Sequence, residues 1–235
     1  MGRNDLCYCM SGKKQKRCHP DIHEGSQEAA KLRIYGQLNK ELEKQSQTSN
    51  GITLCVPGCT HCCYDYFAVQ SIEFRLILDE LAKWDEEELN NLNEKVDNNW
   101  NILVEQHPEV KSFLLKTNNR DIDGINSSID KTSFPCIFLD DSTNLCKIYD
   151  VRPFKCRIFG NTYYYPQDEG AVGMVCHRYG RVINEDNFDL ILYDVTELLD
   201  KNTDLSIIHD KERNIPVLSP QYPLIYYLYQ YFIAK

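Results

Sequence analysis

The sequence predicts a mainly α-helical chain with a small irregular or β cysteine-rich region and a small metal-dependent knob at its N-terminus. Three observations lead there. Apolar residues recur in two helical stretches, Leu32, Tyr35, Leu38 and Leu42, then Ile72, Leu76, Ile77, Leu78 and Leu81. The eleven cysteines fall in bursts, at 7, 9 and 18, at 55, 59, 62 and 63, and at 136, 146, 156 and 176. Short apolar runs separated by turn residues occur within the last burst, over Phe134 to Phe159.

Taken in chain order, residues 1–22 form the knob, with Gly12 in a tight loop and Pro20 as a stop. Residues 23–50 read as a helical linker, helix from Glu24 to about Ser46 and a polar stretch from Gln45 to Asn50 closed by Gly51. The body spans 51–235. It opens on a Pro/Gly-containing cysteine loop, after which Ser71 is placed to cap a helix. Further helix is expected over Glu86 to Gln106 and again after Pro108. Ile137-Phe138-Leu139 and Lys147-Ile148-Tyr149, flanking Asp140 to Asn144, are expected to be two short hairpin strands. Helices near 186–200 and from Pro223 to Ala234 close the chain. The tyrosines at 163–165 and at 226, 227, 229 and 231 are expected to serve packing, with their tips reaching water.

Composition excludes several classes. With 42% apolar residues in 235, the chain can build a core and is not disordered as a whole. The most apolar stretch, Leu224 to Ala234, is too short for a membrane span, which needs roughly 18 residues. Met1 to Leu6 lacks the apolar core of a signal peptide, and position 6 is not the Ser or Thr of a myristoylation signal, so the expected location is the cytoplasm. The net charge of −9 is uneven. Residues 1–20 carry Arg3, Lys13, Lys14, Lys16 and Arg17 against Asp5, a net of +4, which leaves −13 on the rest. Such an acidic body is a poor partner for nucleic acid, and only the N-terminal twenty residues suit a phosphate surface such as the ribosome.

Eleven cysteines in a reducing compartment call for metal rather than disulfides, and an odd total suits a disulfide framework poorly. Their bursts, with 72 cysteine-free residues between Cys63 and Cys136, are not the scatter of core thiols. Cys7, Cys9, Cys18 and His19 supply three thiols and an imidazole within thirteen residues, a tetrahedral donor set that Zn²⁺ prefers. A segment this short buries too little surface to fold alone, so metal binding would supply most of its folding free energy.

Arg3-Asn4-Asp5, then C-x-C-x-S-G-K-K and a closing C-H, resembles the SEC-C motif found at the carboxy-terminus of the SecA translocation ATPase. The resemblance covers residues 2–20 and implies zinc held by Cys7, Cys9, Cys18 and His19, with the knob serving as a docking surface for a protein partner or the ribosome. Tyr8-Cys9-Met10 stands where that family usually has Pro-Cys-Gly; this leaves the ligands intact and is expected to alter the docking surface.

Cys55-x₃-Cys59-x₂-Cys62-Cys63 is dense enough for a loop to wrap one metal centre, which Cys136, Cys146, Cys156 and Cys176 would complete on folding. Eight thiols suit two four-ligand sites or one multinuclear centre. Cys62 and Cys63, being adjacent, project differently and more easily serve two metals, or one metal and a core position. Buried inert cysteine is the competing reading for Cys136, Cys156 and Cys176. The thiol loop, Glu73 downstream, Pro135-Cys136-Ile137-Phe138-Leu139, Cys146-Lys147-Ile148-Tyr149 and Arg152-Pro153-Phe154-Lys155-Cys156-Arg157 together are similar to the YkgJ-type cysteine-cluster family, a zinc- or iron-chelating domain related to one in flagellin lysine N-methylase. That resemblance spans 55–160, and here the first gap is one residue longer than the common form.

Neighbouring side chains offer supporting chemistry. Arg152 and Arg157 could offset clustered thiolate charge, or pair with Asp140, Asp141 or Asp150. Glu73 could ligate the metal or cap its helix. His61 and His177 each sit beside a cysteine and could replace a thiol. The expected function is metal binding, zinc in the knob and zinc, iron or an iron–sulfur cluster in the body. Two alternatives belong to other classes: a protein-modifying enzyme, either a methyltransferase like the flagellin methylase or a cluster-dependent oxidoreductase, and an adaptor for the ribosome or translocation machinery. No strand followed by G-x-G-x-x-G supports a conventional nucleotide-cofactor enzyme.

Overall fold

The structure, a computed structural model, describes residues 4–48, 57–114, 129–158, 163–167, 170–174, 193–210, 215–219 and 221–233, the ends of several elements by backbone alone. It is mainly α, as expected, and the chain divides into two units, Met1–Val56 with Phe154–Leu218, and Pro57–Pro153 with Ser219–Lys235.

The first unit is organised on one long helix. After the short α1 (Gln15–Cys18), α2 runs Gln27–Thr48. It begins three residues later than the sequence suggests because Ser26 acts as its cap, its hydroxyl accepting the Ala29 N–H at 3.1 Å. Its helical period buries Ala29, Leu32, Tyr35 and Leu38, none more than 2% exposed. The polar tract from Gln45 continues the helix to Thr48 instead of ending it. Packed on α2 are α6 (Phe154–Ile158) and α7 (Thr196–Asp204). Two buried cations secure them. Lys31 Nζ donates to Asn202 Oδ1 and lies 5.6 Å from the Tyr35 and Phe154 ring centres, while Arg157 Nη1 donates to Asn39 Oδ1 at 2.9 Å. The Arg157 guanidinium stacks 4.0 Å from the Tyr35 ring, so a desolvated charge is met by a π face and an amide.

Short strands complete this unit. In one sheet β2 (Tyr163–Gln167) pairs antiparallel with β3 (Gly170–Met174) and parallel with β4 (Tyr193–Asp194); in another β5 (Ile207–Asp210) pairs antiparallel with β6 (Ile215–Leu218). The tyrosines at 163–165 thus lie in a strand. The helix expected near 186–200 is corrected to Thr196–Asp204, since Tyr193–Asp194 is strand, and residues 186–192 lie outside the described residues.

The second unit is a helical core around a loop framework. Its helices are α3 (Ser71–Leu81), α4 (Glu86–Gln106), α5 (Pro108–Leu114) and α8 (Leu224–Phe232). Gln70, not Ser71, precedes the first turn of α3. The α4 boundaries coincide with those read from the sequence, and the reason is chemical: Asp85 Oδ1 accepts the Glu88 N–H at 2.8 Å and Glu88 Oε2 accepts the Asp85 N–H at 3.3 Å. Three glutamates in that first turn complement the helix dipole. Leu92, Val96, Trp100 and Leu103 form its buried stripe, and Trp100 stacks on Tyr229 of α8 with centroids 4.4 Å apart. Strands β1 (Ala68–Val69) and β7 (Tyr222–Pro223) pair antiparallel and bring the start of α8 beside Phe67.

The expected hairpin over 137–149 is corrected to a single antiparallel bridge, Leu139 to Cys146, closed by Asp140 N–H to Leu145 O and Lys147 N–H to Phe138 O, each 2.9 Å. Ile137, Phe138 and Leu139 are all buried, a pattern incompatible with the in–out alternation of a half-exposed strand. Tyr149–Val151 then forms a 3₁₀ turn. Among the described residues no helix is long and apolar enough to cross a membrane.

Candidate metal centre

The knob is a tight loop that folds two separated pairs of donors toward one point. Cys7 N–H donates to Lys13 O at 2.8 Å and Gln15 N–H to Asp5 O at 2.9 Å, with an antiparallel bridge between Leu6 and Lys14. The loop reverses through Met10 and Gly12, at φ 62° and 76°, the left-handed region that glycine enters at no steric cost. Cys7 and Cys9 lie on the incoming arm, and α1 returns Cys18 and His19 to face them. Cys7 Sγ is 3.2 Å from His19 Nδ1, Cys9 Sγ is 3.5 Å from Cys18 Sγ, and the four donor atoms all lie within 4.8 Å of one another. A tetrahedron with metal–sulfur bonds of about 2.3 Å has edges of about 3.8 Å, so four donors at these separations could hold one metal ion.

Three side chains outside the donor set support it. Ser11 Oγ lies 3.2 Å from Cys9 Sγ and 3.3 Å from Cys18 Sγ. Gln15 Nε2 donates to His19 O at 2.6 Å. Tyr8 stacks on the His19 ring with centroids 5.8 Å apart and is only 4% exposed, while the Arg33 guanidinium of α2 covers it at 5.4 Å. Tyr8 therefore packs inward, fixing the imidazole from behind. On α2, Gly36 permits a close approach of the knob backbone: a Cβ there would stand 2.4 Å from the Cys9 carbonyl oxygen. The basic side chains Lys13, Lys14, Lys16 and Arg17 are all exposed.

Electrostatics single out one sulfur. Burial pushes the Cys7 thiol up to about 12 and also raises Cys18. For Cys9 burial acts in the same direction but is outweighed by hydrogen bonds from His19, Ser11 and Cys7, which bring its pKa down to about 6. Of these three thiols Cys9 is the one whose surroundings favour the thiolate, the form that ligates a metal.

The body cysteines are placed by a different device. Residues 63–66 and 130–136 run alongside each other: Tyr66 N–H donates to Asp130 O at 3.0 Å, Thr132 N–H to Tyr64 O at 2.8 Å and Cys136 N–H to Cys63 O at 2.5 Å. This backbone pairing seats Cys136 against the 3₁₀ turn His61–Tyr64 that carries Cys62 and Cys63. The Cys62 thiol is driven well above its ordinary range, first by its hydrogen bond to Cys63 and then by burial. Burial raises Cys136 to about 12, with the charges of Cys146 and Cys62 adding to it and that of Lys95 opposing.

Lys95 of α4 also donates to Leu139 O at 3.0 Å and to Asp141 Oδ2 at 3.2 Å, so a cation acting on the Cys136 thiol is a lysine that the sequence reading did not single out. Arg152 stacks 3.9 Å over the Tyr149 ring, and Arg157 faces Asn39 and Tyr35 in the first unit. Glu73 Oε2 accepts the Gln70 N–H at 3.0 Å, the capping role. His61 is exposed in its turn.

Among the described residues, Cys7, Cys9, Cys18 and His19 make up the group of metal-ligating side chains drawn within 4.8 Å. Cys59, Cys62, Cys63, Cys136 and Cys146 lie in the second unit without three of their sulfurs meeting that distance, and Cys156 lies in the first on α6. Cys55, Cys176 and His177 fall outside the described residues.

A family model described as "CxxCxxCC: Putative zinc- or iron-chelating domain" matches residues 54–177, more than half of the chain. The chain belongs to this family. Its CxxCxxCC domain begins just before Cys55 and ends just after Cys176, so all eight body cysteines fall inside it, while the knob lies outside. The spacing that names the domain is met by Cys59-x₂-Cys62-Cys63, with Cys55 one residue further upstream than the pattern requires. No curated protein and no solved structure matches the chain significantly.

Proposed function

We propose that this protein carries two metal centres of different kinds: a structural zinc held by Cys7, Cys9, Cys18 and His19 in a SEC-C-like knob, and a zinc or iron centre, iron–sulfur included, chelated by the cysteines of the CxxCxxCC domain. The observation that carries this reading is the knob's Cys₃His set, four donors within 4.8 Å of one another. A full complement of four protein ligands with no open position suits a structural zinc. Family membership, the backbone pairing of Cys63 with Cys136, and the proximity of Lys95 to the thiols support the second centre.

The knob serves as a docking module. Its exposed Lys13, Lys14, Lys16 and Arg17 present positive charge from a protein that is otherwise acidic, which suits an acidic protein surface or the phosphates of the ribosome. Elemental analysis of anaerobically purified protein tests the assignment. About one zinc should be lost from the Cys9→Ser, Cys18→Ser double variant while the remaining metal stays bound. A double variant with unchanged metal content contradicts the knob site. Wild-type protein with only the knob's zinc contradicts the body centre.

A further inference from the structure

The second unit contains a cavity of about 50 Å³ between the cysteine loop and the start of α8, with Cys63 and Cys136 on one wall and Leu224 and Ile225 on another. On the same scale a water molecule needs about 10–15 Å³, so this space suits a group of a few non-hydrogen atoms. Most of its lining is apolar. Four polar residues break that pattern, Asp65, Tyr66, Asn99 and Thr132, and of these Tyr66 and Asn99 are 6% and 7% exposed. Tyr66 Oη and Asn99 Nδ2 are both buried and neither has a hydrogen-bond partner. Leaving such a group unsatisfied incurs its full desolvation penalty, and natural cores rarely tolerate two in one lining without a ligand or water to satisfy them.

Asn99 also stands on the apolar stripe of α4, between Val96 and Trp100, a position where packing alone would select a hydrocarbon. Burial raises the Tyr66 phenol above its ordinary value, so it remains protonated. Both orphans are donors, an N–H and an O–H, and they call for an acceptor. Asp65 shares the lining and holds its carboxylate 3.9 Å from Lys131, and a second carboxylate beside it would meet repulsion.

We infer that this cavity is a binding site for a small neutral carbonyl group, a carboxamide above all, whose oxygen accepts from Tyr66 Oη and Asn99 Nδ2 while its carbon body lies against the apolar walls. The site places the bound group next to the Cys63–Cys136 pair.

Crystals of the full-length protein soaked in acetamide or acetate, as wild type, Tyr66→Phe and Asn99→Leu, test this. Acetamide should occupy the wild-type cavity with its oxygen in hydrogen-bond contact with both donors. Occupancy at equal soak concentration should fall about fivefold in each variant, the effect of losing one hydrogen bond. Acetate should bind weakly or not at all. Water alone at the highest acetamide concentration, equal occupancy by acetate, or undiminished occupancy in the variants would overturn the assignment. Tyr66→Phe keeps the ring and leaves a test should Asn99→Leu fail to fold.

Discussion

The knob and the CxxCxxCC domain solve the same problem, gathering thiols, at opposite ranges of sequence separation. In the knob a single loop reversal and one turn of helix bring Cys7, Cys9, Cys18 and His19 within 4.8 Å. In the domain, Cys62 and Cys63 meet Cys136 because residues 63–66 lie against 130–136, a pairing of segments more than sixty residues apart. A local donor set can be organised by its metal; a distributed one depends on its scaffold. The knob should therefore stand or fall with metal, and the body with its hydrophobic core.

Chelation offers the largest contrast. Structural zinc sites carry apparent binding free energies of about 10–16 kcal/mol. Stripping the knob with a high-affinity chelator should abolish hydrogen-exchange protection of the Cys7, Met10 and Gln15 amides while α4 retains its own. Equal loss in both regions would end the distinction.

Next in size is Trp100→Ala, which removes the stacked centre of the second unit and should cost about 3–5 kcal/mol of that unit's stability with the knob metal retained. Denaturant unfolding with parallel metal analysis reads both quantities.

Gly36→Ala probes the knob's seat on α2. A methyl 2.4 Å from the Cys9 carbonyl forces the knob off the helix, at about 1–3 kcal/mol of knob stability. Four-ligand stoichiometry should survive. A variant as stable as wild type would show that the knob does not rest on this face.

The smallest effect is a titration. In metal-free protein the knob is unfolded and Cys9 alkylation should follow an ordinary thiol near 9.0, whereas Cys136, raised to about 12 in a body that stays folded, should show no reactivity inflection in that range. The sign for stability follows. The raised Cys136 pKa contributes stability to the body that is fully present below the unfolded value of 9.0 and is lost as pH rises through about 12. Mass-spectrometric mapping of alkylation against pH checks both sites.

How much of this the sequence discloses follows the same division. Cys7, Cys9, Cys18 and His19 are legible because their spacing and the turn at Gly12 are local, and α4 is legible because Asp85 and Glu88 mark its start. The hairpin at 137–149 misleads, since three consecutive apolar residues suit a buried loop as well as a strand. Tyr8 reads as a surface departure from a familiar motif but packs behind His19, because Arg33 and Gly36 sit across from it in a helix twenty-five or more residues away. Lys95 and Asn99 gain their significance only when α4 packs beside the cysteine loop, and no local pattern announces that. Asn99 alone leaves a signal, a polar residue on an apolar stripe.

Metal K-edge X-ray absorption on the Cys62→Ser, Cys136→Ser variant, in which the body centre is disrupted, tests the central claim most directly. The remaining metal should be zinc with three sulfurs at about 2.3 Å and one nitrogen at about 2.0–2.1 Å. Loss of all metal from this variant, or a shell of light atoms only, would contradict an independent Cys₃His centre in the knob.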